Sequence, residues 1–273
     1  MDRDKIIEQL KDDELYYGEF GKQFLSNSDI KYLRTESSAK EFRSAKKFTE
    51  SELKNLEMGK YFHQLMLEPD KAKNFPMVDV KTRASKEYKQ YLEDNNLEYV
   101  LRTSEAQDIK GLADWVLNPK SEYGSDIVRA LLNNQIALKE QPAIAELHGH
   151  MFKGKADLIT LDVDGQYVII DLKTTGSNPS DINIYRMRDF GYDSQCYLYK
   201  ELFGMDFKFI FFGKKQKVND EGKIYYDIEE ITPSDQTLES GKMAVMNALA
   251  NYDKFFGEGA THDVRKSYTR RVI

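Results

Sequence analysis

Two aspartates and a lysine near the middle of the chain have the residue types and the spacing for chemistry on a phosphodiester. Asp171 and Lys173 end the apolar run Val-Ile-Ile-Asp-Leu-Lys, and Asp157 lies upstream in Gly-Lys-Ala-Asp-Leu-Ile. Residues two apart on a strand project from the same face, so Asp171 and Lys173 would stand side by side. Charges at the end of an apolar strand are costly unless they pair or hold an ion.

Two carboxylates that converge with an ammonium group suit the hydrolysis of a phosphodiester. Carboxylate oxygens are ligands that Mg²⁺ prefers. The bound ion polarises a phosphoryl oxygen and lowers the pKa of a water molecule. The ammonium can orient that water or offset charge on the phosphate. The alternative interpretation is an ion pair on the surface of an edge strand, because Asp-x-Lys also arises by chance.

The turn between the two aspartates provides a test of a shared metal. Asp164-Gly165 is a strong turn signal that joins the two segments into a hairpin. A two-residue turn would pair Asp157 with Leu172 and put the two aspartates on opposite faces. A three-residue loop that begins one residue earlier would pair Asp157 with Asp171, with Gly165 in the left-handed conformation. The metal hypothesis therefore predicts the three-residue loop or an equivalent bulge.

The first half of the chain, residues 1–135, is predicted to be mainly helical. Thr49-Glu50-Ser51-Glu52 is a capping box that opens a helix to about residue 68, where Pro69 ends it. Ser104 is a candidate cap for a helix that runs through residue 117. Residues 75–80 and 98–101 are predicted to be short strands or loops.

From residue 136 the pattern favours strands. Segments 136–147, 151–161 and 166–173 are rich in β-branched and aromatic residues and predict a meander. Helices are predicted at 181–189 and 192–203, strands at 207–213 and 223–231, and a final helix from Pro233 to about residue 256. This order predicts a mixed α/β (α+β) fold with a central mixed sheet flanked by helices. We expect one domain over residues 1–273, in which a helical N-terminal part (1–135) wraps a catalytic core (136–273).

Composition limits the classes of function. The 273 residues include 40 Lys and Arg against 46 Asp and Glu, a net charge of −6, so any nucleic-acid contact needs locally gathered basic residues. The one cysteine, Cys196, excludes an internal disulfide framework and favours a reducing compartment. The charged N-terminal residues and the short apolar runs predict neither a signal peptide nor a membrane span, and hence a cytoplasmic protein. No Gly-Lys-Ser/Thr loop supports an ATPase.

Four segments in series resemble the PD-(D/E)xK exonucleases of the RecE (exonuclease VIII) and RecB type. The run Gly-Lys-Ala-Asp-Leu, followed by Ile-Ile-Asp-Leu-Lys-Thr-Thr, looks like their catalytic core. Leu-Ser-Asn-Ser-Asp at 25–29 is similar to the Ser-x-Ser segment that opens RecE-like domains. Residues 58–69 look like their Gly-x-x-x-His-x-x-x-Leu-Glu-Pro helix, and residues 192–199 carry their Gln-x-x-x-Tyr motif. The resemblance implies a restriction-endonuclease-like core.

The resemblance also implies a role for six residues. These roles are metal contact for His63, Asp157 and Asp171, catalysis for Lys173, and a position near that lysine and the scissile phosphate for Gln195 and Tyr199. Without the resemblance, a histidine on an apolar helix face is more often a satisfied core residue than a ligand. Gln195 and Tyr199 are one helical turn apart, and ordinary packing also explains them.

The activity implied by the resemblance is a Mg²⁺-dependent exonuclease, with Mn²⁺ as a substitute, that acts on the ends of linear double-stranded DNA. The family implies 5′ to 3′ degradation that leaves a 3′ single strand for an annealing protein in recombination. It also implies a ring-shaped homo-oligomer and a phage or prophage origin, in the cytoplasm of a bacterium or an infected host. Two alternatives stay open: an endonuclease on the same core, and a DNA-end-binding protein without turnover.

Other charged residues give weaker signals. Glu146, on the strand before Asp157, could reach a second metal, but an exposed strand carboxylate is the simpler interpretation. The DNA path is not located by the sequence, because a run of charge is usually a solvated face. The candidates for it are Lys208, Lys214, Lys215 and Lys217 and, in the tail, Arg265, Lys266, Arg270 and Arg271.

Overall fold

The structure is a computed structural model that describes residues 2–39, 41–42, 44, 48–121 and 125–260. The basic tail proposed for the DNA path, residues 265–271, lies outside the described residues. Within the described ranges, no helix is both long enough and apolar enough to cross a membrane.

The first half of the chain is mainly helical, as predicted. Its described helices are α1 (Arg3–Gln9), α2 (Asp13–Tyr17), α3 (Asn27–Leu33), α4 (Glu36–Ala39), α5 (Glu50–Leu67), α6 (Pro69–Ala72), α7 (Lys86–Asp94), α8 (Thr103–Leu117) and α9 (Ser125–Leu132). A short 3₁₀ turn, Gly21–Gln23, precedes α3. Two of the short segments form strands, β1 (Met77–Val78) and β2 (Leu101–Arg102), which pair in parallel.

The two long helices of this half begin at capping boxes. Helix α5 starts where predicted, because the Thr49 backbone N–H donates to the Glu52 carboxylate and the Glu52 N–H donates to the Thr49 hydroxyl. Pro69 then occupies the first turn of α6, where a missing N–H is tolerated. The predicted cap of α8, Ser104, was wrong. Arg102 is the N-cap, because Glu105 accepts its backbone N–H at 3.1 Å.

The second half contains the central sheet. The strands are β3 (Leu138–Leu147), β4 (His150–Leu161), β5 (Tyr167–Thr175), β6 (Asp206–Gly213), β7 (Lys217–Val218), β8 (Ile224–Tyr225) and β9 (Ile228–Ile231). The helices are α10 (Ile184–Phe190), α11 (Tyr192–Phe203) and α12 (Asp235–Phe255), and a 3₁₀ turn covers Pro179–Asp181. Five strands pair in the order β3-β4-β5-β6-β9. The pair β5–β6 is parallel and the others are antiparallel, so the predicted mixed sheet flanked by helices is confirmed.

The predicted strand at 223–231 is instead two strands. Its first part, β8, forms a hairpin with β7 around Gly222, which has a φ of +77°. Its second part, β9, pairs with β6 at the edge of the central sheet. Between them, the Asp227 carbonyl accepts the Gly213 N–H at 2.9 Å. The two parts separate because they have different pairing partners.

The hairpin of β4 and β5 has the three-residue loop that the metal hypothesis requires. The Asp162 N–H donates to the Gln166 carbonyl at 2.9 Å, which leaves residues 163–165 as the loop. Gly165 has a φ of +75°, the left-handed conformation that glycine adopts without strain. In the resulting register Leu158 lies opposite Ile170. The prediction of this register is confirmed.

Helices cover both faces of the sheet, and β6 shows this by alternation. Phe207, Phe209 and Phe211 pack in the cluster that includes α10 and α11. Ile210 and Phe212 pack on the other side, in the cluster that includes α5 and α8. The strand is therefore apolar at nearly every position, as is typical of a strand buried on both faces.

A buried carboxylate ties α5 and α8 together. Glu105 is 3% exposed, and its carboxylate accepts ion pairs from Lys54 at 3.0 Å, Arg83 at 2.5 Å and Arg102 at 3.0 Å. Burial alone would raise the pKa of Glu105, but the hydrogen bonds from Arg102, Arg83 and Lys54 outweigh it and lower the pKa to about 2. The charged form of Glu105 is therefore favoured in the folded protein.

Glu105→Gln should lower the free energy of unfolding by about 2 kcal/mol at pH 7, because it removes the buried counter-charge shared by three half-buried cations. The pKa of Glu105 is lowered on folding, so its stabilising effect is present above the ordinary pKa of a glutamate and is lost as the pH falls towards about 2. Urea denaturation of wild type and variant at pH 7 and pH 3 measures both effects. The matched control is Glu93→Gln, at an exposed position of α7. A difference between Glu105→Gln and wild type that is equal at both pH values would contradict this account.

Candidate metal centre

The candidate site lies where β4 and β5 separate. Their ladder runs from Leu161 paired with Tyr167 to Leu158 paired with Ile170 and then stops, although both strands continue. Just past the last pair, the backbone of Leu172 is satisfied by side chains. Its N–H donates to Asp157 Oδ2 at 2.8 Å, and its carbonyl accepts from His63 Nε2 at 2.5 Å. Buried backbone groups need such partners, so Asp157 and His63 replace the missing strand neighbour.

The hydrogen bond to Leu172 also defines the histidine ring. A carbonyl oxygen only accepts, so Nε2 of His63 carries a proton. In the neutral ring, Nδ1 then has a free lone pair, and it lies 3.4 Å from Asp157 Oδ2. Such a nitrogen can act as a metal ligand. Helix α5 supplies this residue from the helical half of the chain.

Glu140 joins His63 and Asp157 in a group with metal-ligand geometry. One ligand atom from each of the three side chains lies within 4.8 Å of the others. By the register of β3 and β4, Glu140 lies opposite Asp157, between the recorded pairs on either side. Its φ of +51° is an uncommon conformation for a residue other than glycine. Backbone strain of this kind persists at sites where the surrounding structure imposes it, and it supports a functional role.

The electrostatics of this group favour a cation. Burial, reinforced by the charges of Asp157 and Glu68, raises the pKa of Glu140 to about 8. Burial raises the pKa of Asp157 to about 6; the Asp171 charge also raises it, whereas His63 acts in the opposite direction. Carboxylates in these positions repel one another and bind protons in place of a positive ion. Two carboxylates and an imidazole form a donor set that fits Mg²⁺ or Mn²⁺.

Asp171, Lys173 and Gln195 form a second group beside the first. Asp171 is 2% exposed, and its Oδ2 accepts a hydrogen bond of 2.5 Å from Gln195 Nε2. Its Oδ1 forms an ion pair with the Lys173 ammonium, so each oxygen of this carboxylate has a partner. Burial would lower the pKa of Lys173, but Asp171 and Asp157 outweigh it, raise the pKa and keep the lysine charged.

The six residues named from the sequence are divided among three separate sets of contacts. His63 and Asp157 come together with Glu140, while Asp171 contacts Lys173 and Gln195. The hydroxyl of Tyr199 contacts the backbone of β4, donating to the Lys155 carbonyl at 3.1 Å. That contact is two residues from Asp157, so Tyr199 holds α11 against β4 beside the site.

Helix α11 is held in place by a polar network around its first turn. Asp193 is 1% exposed and accepts from Arg34 Nη2 at 2.5 Å and from the Ser240 hydroxyl at 2.9 Å. The Ser194 hydroxyl donates to Asn27 Oδ1 at 2.7 Å. Asn27 belongs to the Ser-x-Ser segment, which therefore joins α3 to the helix that carries Gln195.

Glu140 was missed by the sequence analysis, which on this strand considered Glu146, as a residue that could reach a second metal. Glu146 is exposed, as the simpler interpretation expected. The signal that could have located Glu140 is the turn at His148-Gly149, whose residues have φ values of +52° and +80°. A two-residue turn there pairs Leu147 with His150, and counting back along both strands brings Glu140 opposite Asp157.

One known protein family matches most of the chain. A model of the PD-(D/E)XK nuclease superfamily matches residues 32–267. The chain belongs to this superfamily. PD-(D/E)XK nucleases use divalent metals, and the group of His63, Glu140 and Asp157 is a candidate site for one. No curated protein matches the chain by sequence.

Two solved structures match this PD-(D/E)XK nuclease over most of its length. One is described as a putative exonuclease from Eubacterium rectale, with a TM-score of 0.56 and 16% identity over 96% of this chain and 95% of that chain. At that identity the likeness concerns the fold alone. The other, described as SSO0001, has a TM-score of 0.36 and 14% identity over 90% of this chain and 85% of that chain.

Glu140→Gln should weaken the binding of Mn²⁺ by about 10-fold or more, because it removes one charged ligand from the group. Isothermal titration calorimetry measures the affinity directly, without any need for cleavage. Glu146→Gln, on the same strand but exposed, is the matched control and should bind like wild type. Wild-type affinity in Glu140→Gln would place the metal elsewhere.

Proposed function

We propose that this PD-(D/E)XK nuclease is a Mg²⁺-dependent exodeoxyribonuclease that degrades linear double-stranded DNA. The observation that carries the proposal is the contact of Asp171 with Lys173 and Gln195, directly beside the group of His63, Glu140 and Asp157. One cluster has the donor set for a divalent ion, and the other has a charged ammonium for a phosphate. Their adjacency suits phosphodiester hydrolysis.

Each side chain has a role that its contacts support. His63, Glu140 and Asp157 would hold the ion, with Asp171 adjacent to them. When bound, the ion supplies polarisation of the phosphoryl oxygen and a more acidic water. Lys173, charged and paired with Asp171, offsets negative charge that develops on the phosphate or orients the attacking water.

Gln195 acts through Asp171. Its amide donates to one oxygen of that carboxylate, which directs the other oxygen towards the lysine. Tyr199 and the network at Asp193 hold α11, so Gln195 keeps its position relative to β5. Rigid placement of this kind is how a site keeps reacting groups aligned.

The choice of an exonuclease over an endonuclease rests on resemblance. The four RecE-like segments and the fold shared with a protein described as a putative exonuclease support it. On the same basis we propose 5′ to 3′ polarity, Mn²⁺ as a substitute ion, a single-strand annealing partner in recombination, a homo-oligomer and a phage or prophage origin. We also propose that residues 1–273 act as one nuclease domain.

Asp171→Ala and Lys173→Ala should each reduce cleavage of end-labelled linear duplex in Mg²⁺ by about 10²-fold or more, as does the loss of one preorganised charged or donor group in other active sites. Single-turnover rates measure the effect. Glu146→Gln, at an exposed position outside the proposed site, is the control and should cleave like wild type. Equal rates in wild type and both site variants would show that the site is misassigned.

Linear duplex should be degraded, whereas covalently closed DNA of the same sequence should stay intact, because an exonuclease needs an end. Separate 5′ and 3′ labels report polarity in the same reaction, and early release of the 5′ label is expected. Cleavage of the closed form would support the endonuclease alternative. Binding of linear DNA with no cleavage in Mg²⁺ or Mn²⁺ would support the end-binding protein.

A further inference from the structure

A polar cleft of about 630 Å³ opens at the C-terminal ends of β5 and β6. Four parts of the chain supply most of its walls: the first half of α5, the middle of α8, the residue after β5, and the segment after β6. The residues that matter here are Lys54, Asn55, Gly176, Lys214, Lys215 and Gln216. None of them belongs to the metal or lysine groups described above.

The cleft wall includes part of α5 and the residue after β5, and both α5 and β5 also carry residues of the proposed active site. Gly176 follows Lys173 by three residues, which is about 10 Å of extended chain. Asn55 precedes His63 by eight residues on α5, which is about 12 Å of helix. Each strand of B-DNA rises about 3.4 Å per nucleotide, so these separations along the chain correspond to about three nucleotides.

The lysines of the cleft are not neutralised as the other lysine candidates are. Lys214 donates to Asn55 Oδ1 at 2.7 Å, and neither Lys214 nor Lys215 forms an ion pair with a carboxylate of the described residues. Burial, with the nearby charge of Lys54, lowers the pKa of Lys214. An uncompensated and partly desolvated ammonium gains from an incoming anion.

Lys54 adds a further positive charge to the cleft wall. Its carboxylate partner is Glu105, which also accepts from Arg83 and Arg102. Three cations therefore share one buried carboxylate, although Arg83 also reaches the exposed Glu50. Asp108 is the acidic residue of the cleft wall. The cleft is a local gathering of positive charge in a chain whose net charge is −6.

The other basic candidates have partners. Lys208 pairs with Glu230 at 3.0 Å and lies 3.9 Å from Asp162. Lys217 pairs with Asp227. Of the four lysines considered from the sequence, the structure thus separates the two that line the cleft from the two that are engaged elsewhere.

We propose that this cleft binds the sugar–phosphate backbone of the DNA strand held in the nuclease site, with Lys214 and Lys215 as its phosphate contacts. The inference rests on the proposed function and adds the path of the substrate to it. Ammonium and amide groups on the walls can donate to phosphate and sugar oxygens. Backbone contacts position a strand without reading its sequence, as a nuclease that moves along DNA requires.

The test is the salt dependence of DNA binding by the double variant Lys214→Gln/Lys215→Gln. Fluorescence anisotropy with a labelled linear duplex, in Ca²⁺, gives the affinity over a range of salt concentrations. The slope of log K against log salt should become shallower by about 1.8, because each phosphate contact contributes about 0.9. The double variant Lys214→Arg/Lys215→Arg keeps both charges and should restore the slope.

The matched control is Lys208→Gln/Lys217→Gln, which removes the same charge outside the cleft and should keep the wild-type slope. A wild-type slope in Lys214→Gln/Lys215→Gln, or an equal change in the control, would overturn the inference. The result is separable from the proposed function. Binding without cleavage by wild type refutes the nuclease but still reports on the cleft. Cleavage by wild type with an unchanged slope in the variant refutes the cleft alone.

Discussion

The separation of β4 from β5 is the constraint on which the site depends. Two antiparallel strands that have just paired give up their ladder in the middle of a covered sheet, and this would leave the backbone of Leu172 unsatisfied. The Asp157 carboxylate accepts its N–H, and His63 donates to its carbonyl. The gap is therefore lined by ionisable groups from three elements, and it can persist only while those groups stay in place.

The charges around this gap conflict with one another in the absence of a cation. Glu140 and Asp157 both have raised pKa values, because burial and other carboxylates disfavour the charged form of each. Glu140 also occupies a backbone conformation that costs about 1–3 kcal/mol for such a residue. Natural sequences break local rules mainly where function demands it. The backbone strain of Glu140 and the repulsion between the Glu140 and Asp157 carboxylates thus occur at the same site.

The helical half of the chain does more than cover the sheet. Helix α5 supplies His63 at one end and the wall of the lysine-lined cleft at the other. Helix α3 contacts α11 through Asn27 and Arg34, and α11 carries Gln195. Residues far apart in sequence thus hold one another in register, and the site would lose its geometry if either half moved. The four family-like segments all contribute residues to this region or to the network that holds α11 beside it.

Much of the fold and part of the site follow from local patterns in the sequence. Alternation and turn residues predicted the meander of β3, β4 and β5, and the metal hypothesis chose the three-residue loop between two loop lengths that the turn residues left open. Spacing two apart put Asp171 and Lys173 on one face, where they do pair. These signals are short-range, so they can be read before the chain is folded.

The tertiary structure decided which distant groups meet. The turn at His148-Gly149 could have placed Glu140 opposite Asp157, but only the folded chain brings His63 to them and Gln195 to Asp171. The lysines that form an ion pair and those that form none within the described residues also differ only by their neighbours in space. Such contacts depend on strand register and on the packing of one half of the chain against the other. Residue types and local spacing do not determine these.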